Sequence, residues 1–314
     1  MPTGIDGMKR LLITGASGLL GLNLALAAHE EHTVIGADRC RLAGAPFEQI
    51  CLDLLEAGAV ERLLEAARPD WLIHCAALAD LEACEANPAL ARRLNAQLPG
   101  ELAAACRARR VKMIHISTDA VFDGTKPGRY TEADTPAPLS LYARTKLEGE
   151  QAVLTANPDA IVARVNFYGF SPSGRRSLAE FFLNNLLAGT PVRGFTDVTF
   201  NPTFVGDLAD LLLAMLAAGL SGLYHTVGAD TCSKYDFGRA LARRFGLDEN
   251  LIAPASVEGS GLTARRAHNL GLDAHKLSTA LGRPLPSFST GLERFYAQYQ
   301  QGYPQKIRSY QHQP

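Results

Sequence analysis

The stretch from Arg10 to Gly21, RLLITGASGLLG, constrains the fold of this chain more than any other. It begins with an apolar run that predicts a buried parallel strand, and it continues into an apolar helical pattern. Between them, Gly15 permits a tight turn, Gly18 lets the backbone approach a phosphate and Gly21 lets the helix pack on the strand. The spacing is G-x-x-G-x-x-G, which suits a dinucleotide pyrophosphate at the helix N-terminus but is also compatible with a purely structural turn.

The end of the second predicted strand carries an acidic residue. Valine and isoleucine resume after the first helix and lead into Asp38, about 20 residues past the glycines. A carboxylate at this place can bind the ribose hydroxyls of NAD. Arg39 follows and can instead pair with the 2′-phosphate of NADP. The two residues predict a dinucleotide cofactor and leave the choice between NAD and NADP open.

Two further strand ends favour the same cofactor. A short third strand is predicted around Ile50–Leu54, where Asp53 can accept from an adenine amino group and Leu54 can lie beneath the ring. The alternative for Asp53 is the N-cap of the following helix. The fourth strand, predicted from Trp71, ends in the small residues Ala76 and Ala77, which leave room for a cofactor.

A tyrosine and a lysine on one helix predict proton-transfer chemistry. The fifth strand runs into Ser117 and Thr118, whose hydroxyls are expected at the open crevice of the sheet. Tyr142 and Lys146 follow on a helix, four residues apart and therefore on one face. A lysine cation nearby is expected to lower the phenol pKa from about 10 by roughly 1–3 units. Tyr142 would then act as an acid or base near neutrality.

Composition excludes several classes of partner. The chain has 314 residues, a net charge of −1 and a hydrophobic content of 47%, which is ordinary for a globular α/β protein. We expect no attraction to nucleic acid or to an anionic membrane, and no run reaches the roughly 18 apolar residues of a membrane span. The six cysteines form no C-x-x-C pair, so we expect reduced thiols and a cytoplasmic location. The histidines show no spacing typical of metal ligands.

The order of predicted elements indicates a doubly wound parallel Rossmann sheet with helices on both faces. Residues 1–167 are predicted to form the dinucleotide-binding domain, rejoined by 204–228, whose last strand would return to the main sheet. Residues 168–314 are predicted to form mostly a smaller, discontinuous substrate-binding domain. The segment 301–314 is polar and unpatterned, so we expect a flexible tail or an oligomer contact.

With these motifs established, the chain resembles the extended short-chain dehydrogenase/reductases. The cues are TGASGLLG from Thr14, the Ser117-Thr118 pair and Tyr142-x-x-x-Lys146. Within that superfamily it is most similar to the dTDP-4-dehydrorhamnose reductase group of sugar-nucleotide-binding proteins, through STDAVFDG from Ser117 and YARTKLEGE from Tyr142. That group also contains a regulatory, non-catalytic relative, the β subunit of methionine adenosyltransferase.

The resemblance assigns roles to individual residues. It implies that Lys146 binds the nicotinamide ribose, that Tyr142 donates a proton to a carbonyl oxygen and that Thr118 hydrogen-bonds that oxygen. The candidate cofactor-binding residues are Gly15, Ser17, Gly18, Leu19, Leu20, Asp38, Arg39, Asp53, Leu54, Ala76, Ala77, Ser117, Tyr142 and Lys146. The candidate substrate-binding residues are Ala120, Asn166, Asn201, Thr203 and Arg266.

The expected activity is hydride transfer from NAD or NADP to the carbonyl of a nucleotide-linked keto-sugar. Ala120 stands where the family usually has a tyrosine, which leaves a rhamnose substrate undecided. Two alternatives stay open: an epimerase or dehydratase that retains NAD, and a non-catalytic NADP-binding regulatory subunit. We expect a nucleotide sugar as the partner, neither nucleic acid nor membrane, and leave a homodimer open.

Overall fold

The structure is a computed structural model, and it describes residues 8–258, 267–310 and 312–313. The strands are β1 Arg10–Thr14, β2 Thr33–Asp38, β3 Arg41–Leu42, β4 Glu48–Cys51, β5 Trp71–His74, β6 Lys112–Thr118, β7 Ile161–Val165, β8 Phe167–Tyr168, β9 Val192–Phe195, β10 Thr199–Phe200, β11 Thr203–Phe204, β12 Gly222–His225, β13 Cys232–Ser233, β14 Ile252–Ala255 and β15 His312–Gln313.

The α-helices are α1 Leu19–Ala28, α2 Ala59–Ala67, α3 Leu81–Ala86, α4 Pro88–Arg92, α5 Leu98–Arg109, α6 Leu141–Ala156, α7 Leu178–Leu187, α8 Val205–Ala217, α9 Lys234–Phe245, α10 His275–Leu281, α11 Phe288–Gln300 and α12 Tyr303–Ser309. A π-helical segment, Arg93–Gln97, joins α4 to α5. Short 3-10 turns cover Asp119–Val121 and Glu249–Leu251. No helix of the described residues is both long and apolar enough to cross a bilayer.

Seven strands form one parallel sheet in the order β12-β7-β6-β5-β1-β2-β4. The chain builds outward from β1 in one direction and from β5 in the other, so a crevice opens at the carboxyl ends of these two strands. This arrangement confirms the predicted doubly wound Rossmann sheet. β12 pairs in parallel with β7, which confirms the predicted return of a late strand to the sheet.

Side chains of the sheet alternate between two hydrophobic clusters. Leu11 and Ile13 of β1 belong to a cluster that includes α1 and α8, whereas Leu12 belongs to a cluster with α2 and α5. All three β1 side chains are fully buried. A strand buried on both faces reads as a continuous apolar run, which is why this strand could be predicted from the sequence.

The second half of the chain adds short strands and helices around an aromatic cluster. β8 pairs with β11 and β9 with β14 in parallel, and β10 pairs with β13 in antiparallel. Phe182, Phe237 and Phe295 are almost fully buried between these elements. Ser233 caps helix α9, because its hydroxyl accepts from the backbone N–H of Asp236.

The predicted flexible tail, 301–314, is instead packed along most of its described length. Helix α12 lies within it, and Ile307 is fully buried. The Tyr303 hydroxyl donates to Asn23 Oδ1 at 2.9 Å. Strand β15 then pairs antiparallel with β3. The expectation of a loose tail was wrong over 303–309 because one apolar side chain every few residues is enough to anchor a short helix to an existing core.

Candidate active site

The turn after β1 requires glycine at two positions. Gly15 has φ +70°, and a Cβ there would lie 2.7 Å from the backbone nitrogen of Ala76. A Cβ on Gly21 would overlap the carbonyl oxygen of Gly15. Because neither glycine has a side chain, α1 can lie close to the turn and the turn can lie close to the end of β5.

The N-terminus of α1 offers an anion site. Its N-cap is Gly18, and no side chain caps the helix. The first N–H groups of a helix have no intrahelical acceptor, so those of Leu19 and Leu20 remain for an external anion such as a pyrophosphate. The cradle and the uncapped helix fit the predicted dinucleotide.

Asp38, at the end of β2, lies directly against the glycine turn. Its Oδ2 accepts from Ser17 N at 3.0 Å and from Ser17 Oγ at 2.8 Å. Its Oδ1 accepts from the backbone N–H of Arg39, whose side chain is exposed. The carboxylate thus lies where β2 ends beside the crevice, which suits ribose hydroxyls and disfavours a 2′-phosphate.

Asp53 caps a turn and not the next helix. Its Oδ1 accepts from the N–H of Leu55 at 2.9 Å, whereas the N-cap of α2 is Gly58. The helix-cap alternative was therefore wrong. Leu54 is buried, and its neighbours Ala76 and Ala77 at the end of β5 are half-buried and exposed. Leu54 beneath an adenine ring, and Ala76 and Ala77 as room for a cofactor, stay predictions.

The structure brings Thr118 and Tyr142 together. Thr118 ends β6, and Tyr142 lies in the first turn of α6, whose N-cap Ser140 accepts from Ala143 N at 3.2 Å. The Thr118 side chain lies close enough to the Tyr142 phenol to influence its pKa. Tyr142 is half-buried. A phenol from the helix and a hydroxyl from the sheet therefore meet at the carboxyl edge of β6.

The expected lowering of the Tyr142 pKa is not observed. Burial raises the pKa of Tyr142 to about 12, although the nearby Thr118 side chain acts in the opposite direction. Lys146 does not counter this effect because its ammonium points to the sheet. Lys146 Nζ donates to the carbonyl oxygen of Ile116 at 2.6 Å and lies 3.3 Å from His115 Nε2. Burial lowers the pKa of Lys146 to about 8.

Ser117 faces away from the crevice. Successive side chains of a strand point to opposite faces, so Ser117 points toward α6 while Thr118 points to the open edge. The Ser117 hydroxyl donates to Glu150 Oε1 at 2.5 Å, and Glu150 accepts two further bonds from Arg164 at 2.9 and 2.7 Å. The Ser117 hydroxyl is therefore committed to a buried ion pair, and its cofactor contact stays a prediction.

Asp119 is a site residue that the sequence reasoning missed. Its Oδ2 accepts from Asn166 Nδ2 at 2.5 Å and its Oδ1 accepts from the Thr118 hydroxyl at 3.1 Å. Burial raises the pKa of Asp119 to about 6. The signal was present as an acidic residue directly after an apolar strand. Asn166, predicted to touch substrate, thus reaches the site through Asp119, and Ala120 follows with a half-buried methyl group.

Asn201 and Thr203 are structural in this conformation. Both are almost fully buried. Asn201 donates to Gly228 O and accepts from Leu272 N, while Thr203 Oγ1 accepts from Gly228 N at 2.8 Å. Backbone groups from distant segments use these polar atoms, and the substrate contacts of both residues stay predictions. Arg266 lies outside the described residues.

The described part of the chain holds no cluster of His, Cys, Asp or Glu that could bind a metal ion. The crevice combines the glycine turn after β1, the uncapped N-terminus of α1 and the Asp38 carboxylate. Thr118, Tyr142 and Lys146 complete it. This site on this sheet defines an NAD(P)-dependent oxidoreductase of the extended short-chain dehydrogenase/reductase class. More narrowly, the chain belongs to the family described as RmlD substrate binding domain, whose model matches residues 8–301.

Relatives in this family carry two kinds of name. The chain is 35% identical over 293 residues to the probable low-salt glycan biosynthesis reductase of Haloferax volcanii, which covers 91% of this chain and 97% of that protein. It is 34% identical over 300 residues to methionine adenosyltransferase 2 subunit beta of Mus musculus, covering 91% and 86%. The structure of dTDP-4-dehydrorhamnose reductase from Bacillus anthracis in complex with NADP superposes with a TM-score of 0.84 at 28% identity, covering 93% and 99%.

Proposed function

We propose that this chain reduces the keto group of a nucleotide-linked sugar with NAD(P)H. The observation that carries the proposal is the nearness of the Thr118 and Tyr142 side chains at the carboxyl edge of β6. These two side chains lie on the same edge of the sheet as the glycine turn at the end of β1. A reductase of this class needs a proton donor beside the carbon that receives hydride, and the Tyr142 phenol would serve as that donor.

The cofactor would be held by the glycine turn, the N-terminus of α1 and Asp38. When bound, the reduced nicotinamide supplies the hydride. Tyr142 is protonated at neutral pH because its pKa is about 12, and this is the form that can donate to an oxygen becoming an alkoxide. Thr118 hydrogen-bonds the same oxygen, and Lys146 supplies a positive charge one helical turn from the phenol.

The substrate would lie against the short strands and helices of the second half of the chain. We propose 168–314, apart from the segment 204–228, as the larger part of the substrate-binding domain. Ala120 leaves space where a tyrosine is usual in the family, which favours a sugar bulkier than or different from 4-dehydrorhamnose. The proposal includes a cytoplasmic location and leaves a homodimer as a prediction to be tested by oligomeric state.

The test is a panel of nucleotide-linked 4-keto-sugars assayed by NADH and NADPH oxidation, with wild type beside Tyr142→Phe. We expect turnover by wild type and a loss of about 10²–10⁴-fold in the variant, with cofactor affinity kept within a few-fold. The Ser171→Ala variant is a control outside the crevice, because Ser171 Oγ donates to Glu180. Full activity of Tyr142→Phe would show that the phenol is not the acid.

A second candidate is a non-catalytic cofactor-binding subunit, favoured by the similarity to methionine adenosyltransferase 2 subunit beta. Under this alternative the purified chain binds NADP, stays silent toward every sugar in the panel and co-purifies with a partner enzyme. Tightly retained NAD with turnover but no net cofactor consumption would instead indicate an epimerase or dehydratase. The assay separates all three outcomes.

A further inference from the structure

Three titratable side chains are buried together beneath the crevice. Lys146 is 3% exposed, His74 is 1% exposed and His115 is fully buried. A buried ammonium is stable only when acceptors replace the water that it has lost. The hydrogen-bond acceptors of Lys146 therefore determine where its ammonium group points and whether it stays protonated.

Strand β6 supplies the acceptors of Lys146. Nζ donates to Ile116 O at 2.6 Å and lies 3.3 Å from His115 Nε2. An ammonium has three hydrogens, so these two contacts leave one for a ligand in the crevice. His115 is the side-chain partner of the pair and Ile116 is a backbone partner that no substitution removes.

The His115 ring is in a form that can accept a hydrogen bond. Burial and the Lys146 charge lower the pKa of His115 well below its usual value, so the ring is neutral. Its ring stacks on that of His74 with centroids 5.5 Å apart, and His74 Nδ1 lies 2.6 Å from Thr14 Oγ1. Gly149 of α6 lies beside this ring, because a Cβ there would be 3.4 Å from His115 Nε2 and would overlap the Asn95 carbonyl oxygen.

We propose that His115 is a positioning residue for Lys146, accepting a hydrogen bond at Nε2 that holds the ammonium against β6 with one hydrogen left for the ribose of a bound cofactor. The role toward the ribose rests on the proposed function, whereas the hydrogen bond does not. Because a hydrogen bond to the charged form favours that form, the imidazole also keeps Lys146 protonated near neutral pH.

The other titratable groups around Lys146 are either neutral or hydrogen-bonded to other residues. Cys75, at the end of β5, is a neutral thiol because burial raises its pKa to about 12. His74 is neutral because burial lowers its pKa to about 3. Glu150, one turn along α6, favours the protonated lysine but is bonded to Ser117 and Arg164. His115 is therefore the uncharged contact whose removal acts on Lys146 most directly.

The test follows the ionisation of Lys146 itself by ¹³C NMR of protein labelled at lysine Cε, with the signal assigned by Lys146→Met. In His115→Phe we expect the Lys146 pKa to fall by about one unit or more, because a charge-assisted bond is lost without added exposure. His115→Gln places an amide oxygen near the former Nε2 and is expected to restore the wild-type titration. His225→Phe, at a buried histidine of β12, controls for general loss of packing.

Turnover supplies the second readout. We expect the alkaline limb of kcat/KM to move to lower pH in His115→Phe by the same shift, and to return in His115→Gln. If His115→Phe does not fold, His115→Leu makes the same comparison with a smaller side chain. An unchanged Lys146 titration in these variants overturns the proposal. A shifted titration in a chain without any turnover leaves the hydrogen bond standing and refutes the proposed function instead.

Discussion

Glu150 and Arg164 form a bidentate ion pair in the interior, with N–O distances of 2.9 and 2.7 Å and side chains only 4% and 3% exposed. Glu150 lies on α6 one turn after Lys146, and Arg164 lies in β7, otherwise an apolar strand. The pair fastens the helix that carries Tyr142 and Lys146 to the sheet. Ser117 completes it as a third partner.

Breaking this pair should destabilise the protein. Arg164→Met leaves the buried Glu150 carboxylate with Ser117 as its remaining side-chain partner, so we expect a loss of about 3–5 kcal/mol in urea unfolding. The double variant Arg164→Met with Glu150→Gln removes both charges and should recover most of that loss. Equal destabilisation of the single and double variants would mean that the uncompensated charge is not the cause.

Adding a methyl group at Gly21 should separate α1 from the turn. The new Cβ would overlap the carbonyl oxygen of Gly15, so we expect Gly21→Ala to lose about 1–3 kcal/mol of stability and more than tenfold in NAD(P)H affinity. Fluorescence titration measures the affinity. The control is Gly44→Asn, at φ +70° in open space, where asparagine is tolerated. Unchanged binding by Gly21→Ala would exclude the close approach.

Cofactor preference should respond to the charge of Asp38. Asp38→Asn keeps an oxygen for Ser17 but removes the negative charge that would repel a 2′-phosphate. We expect the ratio of kcat/KM for NADPH to that for NADH to rise by about tenfold or more. Arg39→Ala is the opposing variant and should lower the ratio. If neither substitution changes this ratio, the ribose does not bind beside Asp38.

Asp119 should make stability depend on pH. Its pKa is about 6 in the folded chain, against about 3.9 when unfolded, so the folded state binds more protons between these values. Stability from this group is therefore greatest below pH 4 and declines as pH rises through 6. Relative to Asp119→Asn, wild type should lose about 2 kcal/mol between pH 4 and pH 7 in urea unfolding. Parallel curves for the two proteins would contradict the raised pKa.

Much of the fold could be predicted because its signals are local. The buried strands are continuous apolar runs, and Ser233 marks the start of α9. The nearness of Thr118 and Tyr142 agrees with the roles that the family resemblance implies for them. Local periodicity does not say which buried partners a strand side chain will meet, so the bond from Ser117 to Glu150 appears only in the structure.

The remaining differences come from contacts between distant segments. The side chains of Asn201 and Thr203 are hydrogen-bonded to backbone groups of Gly228 and Leu272. No rule of residue spacing predicts these contacts. Tyr142 has a raised pKa because burial outweighs a lysine that is turned toward His115. Burial of a side chain is a property of the assembled fold, so its effect on a pKa appears only in three dimensions.

The place of β12 at the outer end of the sheet has a consequence for biosynthesis. β7 leaves the ribosome well before the strand that covers it, and until then its backbone groups are an unprotected edge of apolar sequence. Such edges recruit other chains, so nascent or proteolysed fragments that stop short of Gly222 should aggregate or engage chaperones. Cellular yield of this protein would therefore depend on finishing translation through His225 as much as on the stability of the completed fold.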